Sequence, residues 1–499
     1  MTLCSLIMSG KDHCHPPPEE LPTPYEYFAK FFDEMMCERL TFETNLYSVQ
    51  QSGKSLGVTG EEMRKYLSIL VLCGVIKMPQ FRMFWQGGTR YAPVADLMSR
   101  NRFEEIHRFL HMNNNMEQKP KGSEGHDKLF KVRPIIDALR QNLRLVPPEE
   151  KQSIDEQIIP FKGRSQMKQY IKAKPHKWGF KVFTRASSSG IMHDFVIYEG
   201  KGTATDHGLG ISGDIVLDLV RDLPQGINHK VFFDNWFSSL RLVEHLKKEG
   251  YLLVGTVRSD RTEKCPLALD FELKSQGRGA VDYKLDAESG VQVIKWLDNA
   301  TVQLVSSYAG VQPTDTCTRW SNKEKKQIEV TRPIAVKEYN DSMGGVDLAD
   351  MLIELYRTDH KSRKWHMRIF YWTIDVSIVN AWLLYKRHCK ATDTRKPLSL
   401  LRFRMHVAEA LGLRNANKQK RQSRSEDEAS PNQSAKHPRM QKPVDDVRYD
   451  GVQHWPVIGK KRQRCRSCSK GFSFLYCSKC NVHLCLIPSR NCFMAFHTK

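Results

Sequence analysis

The sequence predicts a multidomain α/β protein with helical stretches on either side of a mixed strand-and-helix core and a small metal-binding tail. Three observations carry that reading. With 499 residues, the chain is longer than a single hydrophobic core usually organises. At Lys151 the apolar spacing changes from a helical period to short strand-like runs. Six of the thirteen cysteines fall between Cys465 and Cys492, and four of them form two CxxC pairs.

The formal net charge of +21 and a pI near 9.4 point to a polyanionic partner, either nucleic acid or an anionic membrane surface. The membrane is disfavoured. The longest apolar run, Leu67–Ile76, is too short for a span, and no hydrophobic signal region opens the chain. Without a sign of secretion, the cysteines read as reduced thiols or metal ligands.

In chain order, residues 1–23 are Pro-rich and polar and read as a disordered arm. Residues 24–149 read as helical: Tyr25–Arg39, Glu61–Lys77 behind a Thr59/Glu62 capping box, Arg102–Met112 and Val132–Leu145. From Lys151, SIDEQIIPF, WGFKVFTR and HDFVIYEG read as three strands. A helix follows, with Ile215, Leu219, Val220 and Leu223 along one stripe. HKVFFDNWF is a fourth strand ending in Asp234; Ser238 caps a helix to Lys248, and Gly250 stops it. YLLVGTVR is the fifth strand. This β-β-β-α-β-α-β order is that of the ribonuclease-H fold, and it places Asp234 at the carboxyl end of a strand, where open α/β sheets bind ligands.

Residues 259–330 are polar and charge-mixed and read as an insertion. In YNDSMGGVDLADMLIEL, Gly344-Gly345 make a turn and a helix follows, with Leu348, Met351, Leu352 and Leu355 on one stripe. Asp347, Asp350 and Glu354 lie on the neighbouring stripe. Ile369–Tyr385 is an apolar helix. Residues 415–453 form a charge-dense linker, read as disordered, whose basic cluster at 418–421, like Lys460-Lys461-Arg462, suits nuclear import.

Asp155 and Glu156 sit on the first strand, and no acidic residue follows from Gln157 to His193. That window carries Lys162, Arg164, Lys168, Lys172, Lys174, Lys177, Lys181 and Arg185. A second basic stretch, Tyr356–His366, adds Arg363 and Lys364 among aromatics. A strand-borne carboxylate beside such a ribbon suits a metal ion that must meet phosphates. In the tail, Cys465, Cys468, Cys477, Cys480, His483, Cys485, Cys492 and His497 match two tetrahedral Zn2+ sites, and which ligands share an ion stays open. The segment has too few apolar residues to fold on an ordinary core.

The blocks SIDEQIIPFKGR, FFDNWFSS, VGTVRSDR and YNDSMGGVDLADM, in this order and spacing, resemble the piggyBac transposase family from Pro24 to the C-terminus. The resemblance implies catalytic aspartates at Asp155, Asp234 and Asp347, with Asp350 at a further acidic position of the same helix. It implies two Mg2+ or Mn2+ ions per site and a core split into 150–258 and 331–352. It also implies a dimerisation and DNA-binding helical domain split into 24–149 and 353–414, and a cross-brace zinc domain over 454–499. The activity expected is nicking of double-stranded DNA at element ends, hairpin formation on a TTAA overhang and joining to a TTAA target, by a nuclear homodimer. The alternatives are a domesticated DNA-binding descendant without transposition, and a chromatin factor whose zinc finger binds peptide.

Overall fold

In the computed structural model, which describes residues 17–172, 174–393, 396–413, 443, 445–468 and 471–498, the chain divides into two units. One comprises the chain up to Phe31 with Asp137–Arg357 and Lys361–Leu400; the other comprises Phe32–Ile136, Thr358–His360 and Leu401 onward. Most of the expected arm and linker, with the 418–421 cluster, lies outside the described residues.

After α1 (Pro24–Ala29), which belongs to the first unit, the helical unit carries α2 (Glu34–Ser52), α3 (Gly60–Val75), α4 (Ala92–Ala95), α5 (Arg100–Phe109) and the start of α6 (Arg133–Arg144). The α3 capping box forms as the sequence predicts, with Thr59 Oγ1 accepting from Glu62 N and the Glu62 carboxylate accepting from Thr59 N.

The first unit is built on one sheet. Its strands are β1 (Lys151–Pro160), β2 (Gln169–Tyr170), β3 (Trp178–Ser187), β4 (Met192–Ile197), β5 (Lys230–Phe233), β6 (Leu252–Thr256), β7 (Val281–Leu285), β8 (Gln292–Leu297) and β9 (Thr301–Ser306). The spatial order is β2-β3-β1-β5-β6-β9-β8-β7, and β4 shares the outer edge of β3 with β2. The β1–β5 and β5–β6 ladders are parallel. Parallel neighbours need crossovers, and these are α7 (Gly210–Val220) and α8 (Leu240–Lys248). The strand alternation shows in β5. Val231 and Phe233 join a core with Ile215 and Leu242, while Phe232 joins a separate core with Val254 and Trp296. Ser239, one residue later than expected, caps α8; Ser238 instead donates back to the Asp234 carbonyl.

The 259–330 segment, read as an insertion, extends the core sheet. It contains α9 (Asp270–Gln276), and three of its strands continue the same sheet, with β9 pairing antiparallel to β6. That pairing covers an edge otherwise left with unmet backbone groups. Only the hairpin of β10 (Thr314–Ser321) and β11 (Lys326–Pro333) forms its own ladder.

α10 (Ile334–Ser342) and α11 (Gly345–Leu355) return the chain to the first half of the sheet. α12 (Trp365–Thr392) is buried along most of its length and belongs to this unit, where Tyr27 Oη bonds His388 Nδ1 at 2.8 Å. Its polar Asn380 is explained by β4: the amide donates to the Met192 carbonyl at 2.7 Å and accepts from Met192 N at 3.1 Å. Those bonds serve backbone groups next to the irregularity in the β3–β4 ladder.

α13 (Leu400–Leu413) lies mostly in the helical unit. There Ser68 donates to the Ala408 carbonyl, and the buried Arg404 donates to Val71 O and Thr358 Oγ1. The tail holds α14 (Asp445–Arg448), β12 (Pro456–Arg464), β13 (Phe472–Cys477), β14 (Leu486–Ile487), β15 (Arg490–Asn491) and α15 (Cys492–His497). Its small core is largely cysteine, joined by Val482, Leu484 and Phe496.

Candidate acidic active site and zinc-binding tail

Ile154 of β1 is the parallel partner of Phe233 of β5. An aspartate follows each, so Asp155, midway along β1, and Asp234, just past the carboxyl end of β5, lie on neighbouring strands, whose usual spacing is about 4.8 Å. Ile154 and Phe233 face the core, and alternation turns both aspartates to the opposite face. Each is oriented by local backbone: Asp155 Oδ1 accepts from Glu156 N at 2.7 Å, and Asp234 Oδ1 from Trp236 N at 2.9 Å.

The third aspartate arrives through a glycine. A Cβ on Gly345 would lie 2.6 Å from Ser153 Oγ and clash with the Ser187 carbonyl oxygen. Only glycine lets α11 begin this close to β1 and β3. Ser153 lies two residues before Asp155, on the same face of β1, so the close approach delivers Asp347 in the first turn of α11 to the same place. Gly344, with nothing within 4 Å of its Cβ position, serves only the turn.

The electrostatics join these groups. Burial pushes the Asp155 carboxyl up to about 7, with Lys174 opposing and Asp234 reinforcing the shift. Burial likewise pushes Asp350 up to about 6. Tyr339 is raised to about 12, chiefly by burial, with the charges of Asp234, Asp155 and Asp347 adding to it. Lys174 Nζ stands 3.3 Å from Asp347 Oδ1; burial works against its charge, but Asp155, Asp347 and Glu156 outweigh it, and the net shift is upward. Carboxylate oxygens are ligands for hard divalent ions such as Mg2+ or Mn2+, and this accumulation of acid charge, met by Lys174 and Lys181, fits such an ion.

The basic ribbon divides by exposure. Lys162, Arg164, Lys172 and Lys177 are exposed, as are Arg363 and Lys364. Lys168 donates to the Gly163 carbonyl and lies over the Trp178 ring, and Lys181 stands over Phe183 and Trp236. Arg185 leaves the ribbon: it is buried and donates to Leu219 O and Gln152 Oε1.

In the tail, two quartets each bring their ligand atoms within 4.8 Å of one another: His454, Cys477, Cys480 and His497, and Cys465, Cys468, Cys485 and Cys492. Among the described residues no other group of three or more His, Cys, Asp or Glu is as tight. The quartets alternate along the chain, the cross-brace order. His454 Nδ1 lies 3.3 Å from Cys477 Sγ, while its Nε2 is held by Asp450 Oδ1 at 3.0 Å. A carboxylate on the far nitrogen fixes the tautomer that a ligating histidine needs. His497 makes the same arrangement with a backbone carbonyl, Phe493 O at 2.8 Å, and its buried Nε2 has no hydrogen-bond partner. Hydrogen bonding from Cys480 lowers the Cys477 thiol, which favours the thiolate that ligates a metal. An orphaned imidazole nitrogen and a thiolate in one quartet fit Zn2+.

His483 is not in either quartet. Its backbone bridges to Tyr476, and its Nδ1 bonds the Ser473 carbonyl at 2.8 Å. Its expected place is filled by His454.

A family model described as Transposase IS4 matches residues 23–382. The human piggyBac transposable element-derived protein 3 is 34% identical over 484 residues, covering 96% of this chain and 76% of the relative. The chain belongs to the piggyBac transposase family. Human piggyBac transposable element-derived protein 2 is 32% identical over 89% of this chain and 72% of its own length. The cryo-EM structure of a piggyBac transposase synaptic complex with hairpin DNA superposes with a TM-score of 0.67 at 22% identity, covering 94% of this chain and 98% of that one. The aspartates of the IDE, DNWF and GGVD blocks are those on β1, after β5 and in the first turn of α11. Sequence spacing missed His454, although Asp450 four residues earlier was a signal, and it missed that Lys174 reaches Asp347.

Proposed function

We propose that this piggyBac-family chain is a DNA transposase whose ribonuclease-H-like core cuts and joins phosphodiester bonds at a three-aspartate metal site. The observation that carries the proposal is the convergence of Asp155 in the middle of β1, Asp234 at the end of the adjacent parallel β5 and Asp347 in the first turn of a glycine-seated helix. The carboxylates would hold two Mg2+ or Mn2+ ions, which when bound favour in-line attack on phosphorus and stabilise the leaving 3′ oxygen. Asp155 supplies a buried carboxylate that must be ionised to bind, Asp347 the exposed face nearest the substrate, and Asp350 a second acid on α11. Lys162, Arg164, Lys172, Lys177, Arg363 and Lys364 would hold phosphates by charge. The substrate is double-stranded DNA, with nicking at element ends, a hairpin on a TTAA overhang and joining at TTAA.

The tail, with two structural Zn2+ ions, would bind element ends, and the split helical segments would pair two chains as a homodimer in the nucleus. The test is strand cleavage of labelled duplex carrying the terminal repeats that flank the coding sequence, with Mg2+. The wild type should nick these ends. Asp155→Asn, Asp234→Asn or Asp347→Asn should each abolish nicking without weakening DNA binding. Cleavage that survives Asp234→Asn, or a wild type that binds the ends without cutting them, would overturn the proposal.

A further inference from the structure

The β2–β3 hairpin presents two aromatic rings that the fold does not bury. Tyr170 and Trp178 are direct cross-strand partners with ring centroids 4.9 Å apart, and they remain 50% and 49% exposed. A cross-strand aromatic pair is worth about 0.2–1 kcal/mol to the hairpin, but that role leaves the outer ring faces in water. Lys168 Nζ lies 4.9 Å above the Trp178 ring, and Lys162, Lys172 and Lys177 are exposed around the pair. No acidic residue lies between Gln157 and His193 to neutralise them. The same hairpin turn carries Lys174 onto Asp347 and His176 onto Glu354 of α11. Trp178 is four residues from Lys174, at most about 14 Å of chain.

We infer that Tyr170 and Trp178 form a stacking platform for an unpaired nucleobase of the DNA strand entering the acidic site. Exposed aromatics set in a cationic groove are how proteins hold single strands: lysines take the phosphates, and ring faces take the bases without sequence preference. Paired bases inside a duplex offer no free face, so the platform distinguishes an opened strand from an intact one. The inference rests on the transposase reading only for the identity of the strand as DNA.

The experiment compares full-length, zinc-loaded wild type with Trp178→Ala, Trp178→Phe and Tyr170→Ala. Each is titrated with a thymidine oligonucleotide of about 12 nucleotides, within ordinary single-strand site sizes, and with a blunt duplex. Trp178→Ala should weaken single-strand binding by roughly 5- to 150-fold, the equivalent of one lost stack. Duplex affinity and the slope of log affinity against log salt should stay unchanged, since no charge is removed, and the melting temperature should fall by no more than a few degrees, matching the about 0.2–1 kcal/mol of the lost cross-strand pair. Trp178→Phe should recover most of the loss. The fluorescence of Trp178, taken as wild type minus Trp178→Phe, should be quenched by the oligonucleotide. Unchanged single-strand affinity, an equal loss on duplex, or no recovery with Phe would overturn the inference. Cleavage that survives Asp234→Asn would defeat the transposase proposal while leaving these binding results in place, so the two failures are separable.

Discussion

Adding one methyl group at Gly345 should disable the site, whereas the same change at Gly344 should not. At Gly345 the new Cβ would sit 2.6 Å from Ser153 Oγ, about 0.8 Å short of ordinary contact, and closer still to the Ser187 carbonyl. The serine hydroxyl can rotate, but the carbonyl belongs to the β3 backbone, so α11 must lift by about 1 Å. Overpacking of this kind costs about 1–3 kcal/mol of stability. Because Asp347 is in the first turn of the lifted helix, strand cleavage should fall further, about 100-fold for a displacement of that size. Gly344 has open space at its Cβ position and a φ of −73°, which alanine adopts without strain. Gly344→Ala should be neutral or stabilise by about 0.4–1 kcal/mol. Urea unfolding of both variants, with cleavage rates at saturating Mg2+, measures the contrast. Equal tolerance of the two substitutions would refute the claim that close approach at Gly345 positions the third aspartate.

Burial raises the Asp155 carboxyl from 3.8 to about 7, so between those values the folded chain keeps a proton that the unfolded chain releases. Metal-free stability should therefore fall as pH rises from about 4 to 7, and Asp155→Asn should flatten that fall in pH-dependent melts. In the tail, elemental analysis should return two zinc ions per chain for wild type and for His483→Ala, but about one for His454→Ala, because only His454 stands among the ligands. Lys174→Met removes the cation beside Asp155 and Asp347 and should tighten Mn2+ binding by roughly fivefold, equivalent to about 1 kcal/mol of charge competition. Alanine at Lys162, Lys172 and Lys177 together should make the log–log salt dependence of DNA binding shallower by roughly 2.7, at about 0.9 per phosphate contact.

The first half of the α/β core was legible because its signals are local. Each strand from Ser153 to Arg258 except the two-residue β2 is an apolar run bounded by turn residues, and the helices between them show their stripes. The pairing of Asp155 with Asp234 followed from strand order, but the seating of Asp347 depends on how Gly345 meets Ser153 and Ser187, a contact between residues far apart in the chain. That the 259–330 segment would extend the sheet was not legible, because its polar strands carry no sign that β9 will add to the edge of β6. His483 was chosen for lying close to the CxxC pairs. Ligation depends instead on where the folded chain puts the ring, and His483 stands outside both quartets. Arg185 matched the charge pattern of the ribbon, yet strand alternation buries it against the Leu219 carbonyl. Charge counted along a sequence does not say which face a strand presents.

The central claim is that Asp155, Asp234 and Asp347 act together as one divalent-metal site. Calorimetric titration of Mn2+ into the zinc-loaded full chain near pH 8, where Asp155 is ionised, tests it most directly. The wild type should bind two ions outside the zinc tail, and each of Asp155→Asn, Asp234→Asn and Asp347→Asn should lose at least one of them. Binding that is the same in all four proteins would contradict the account.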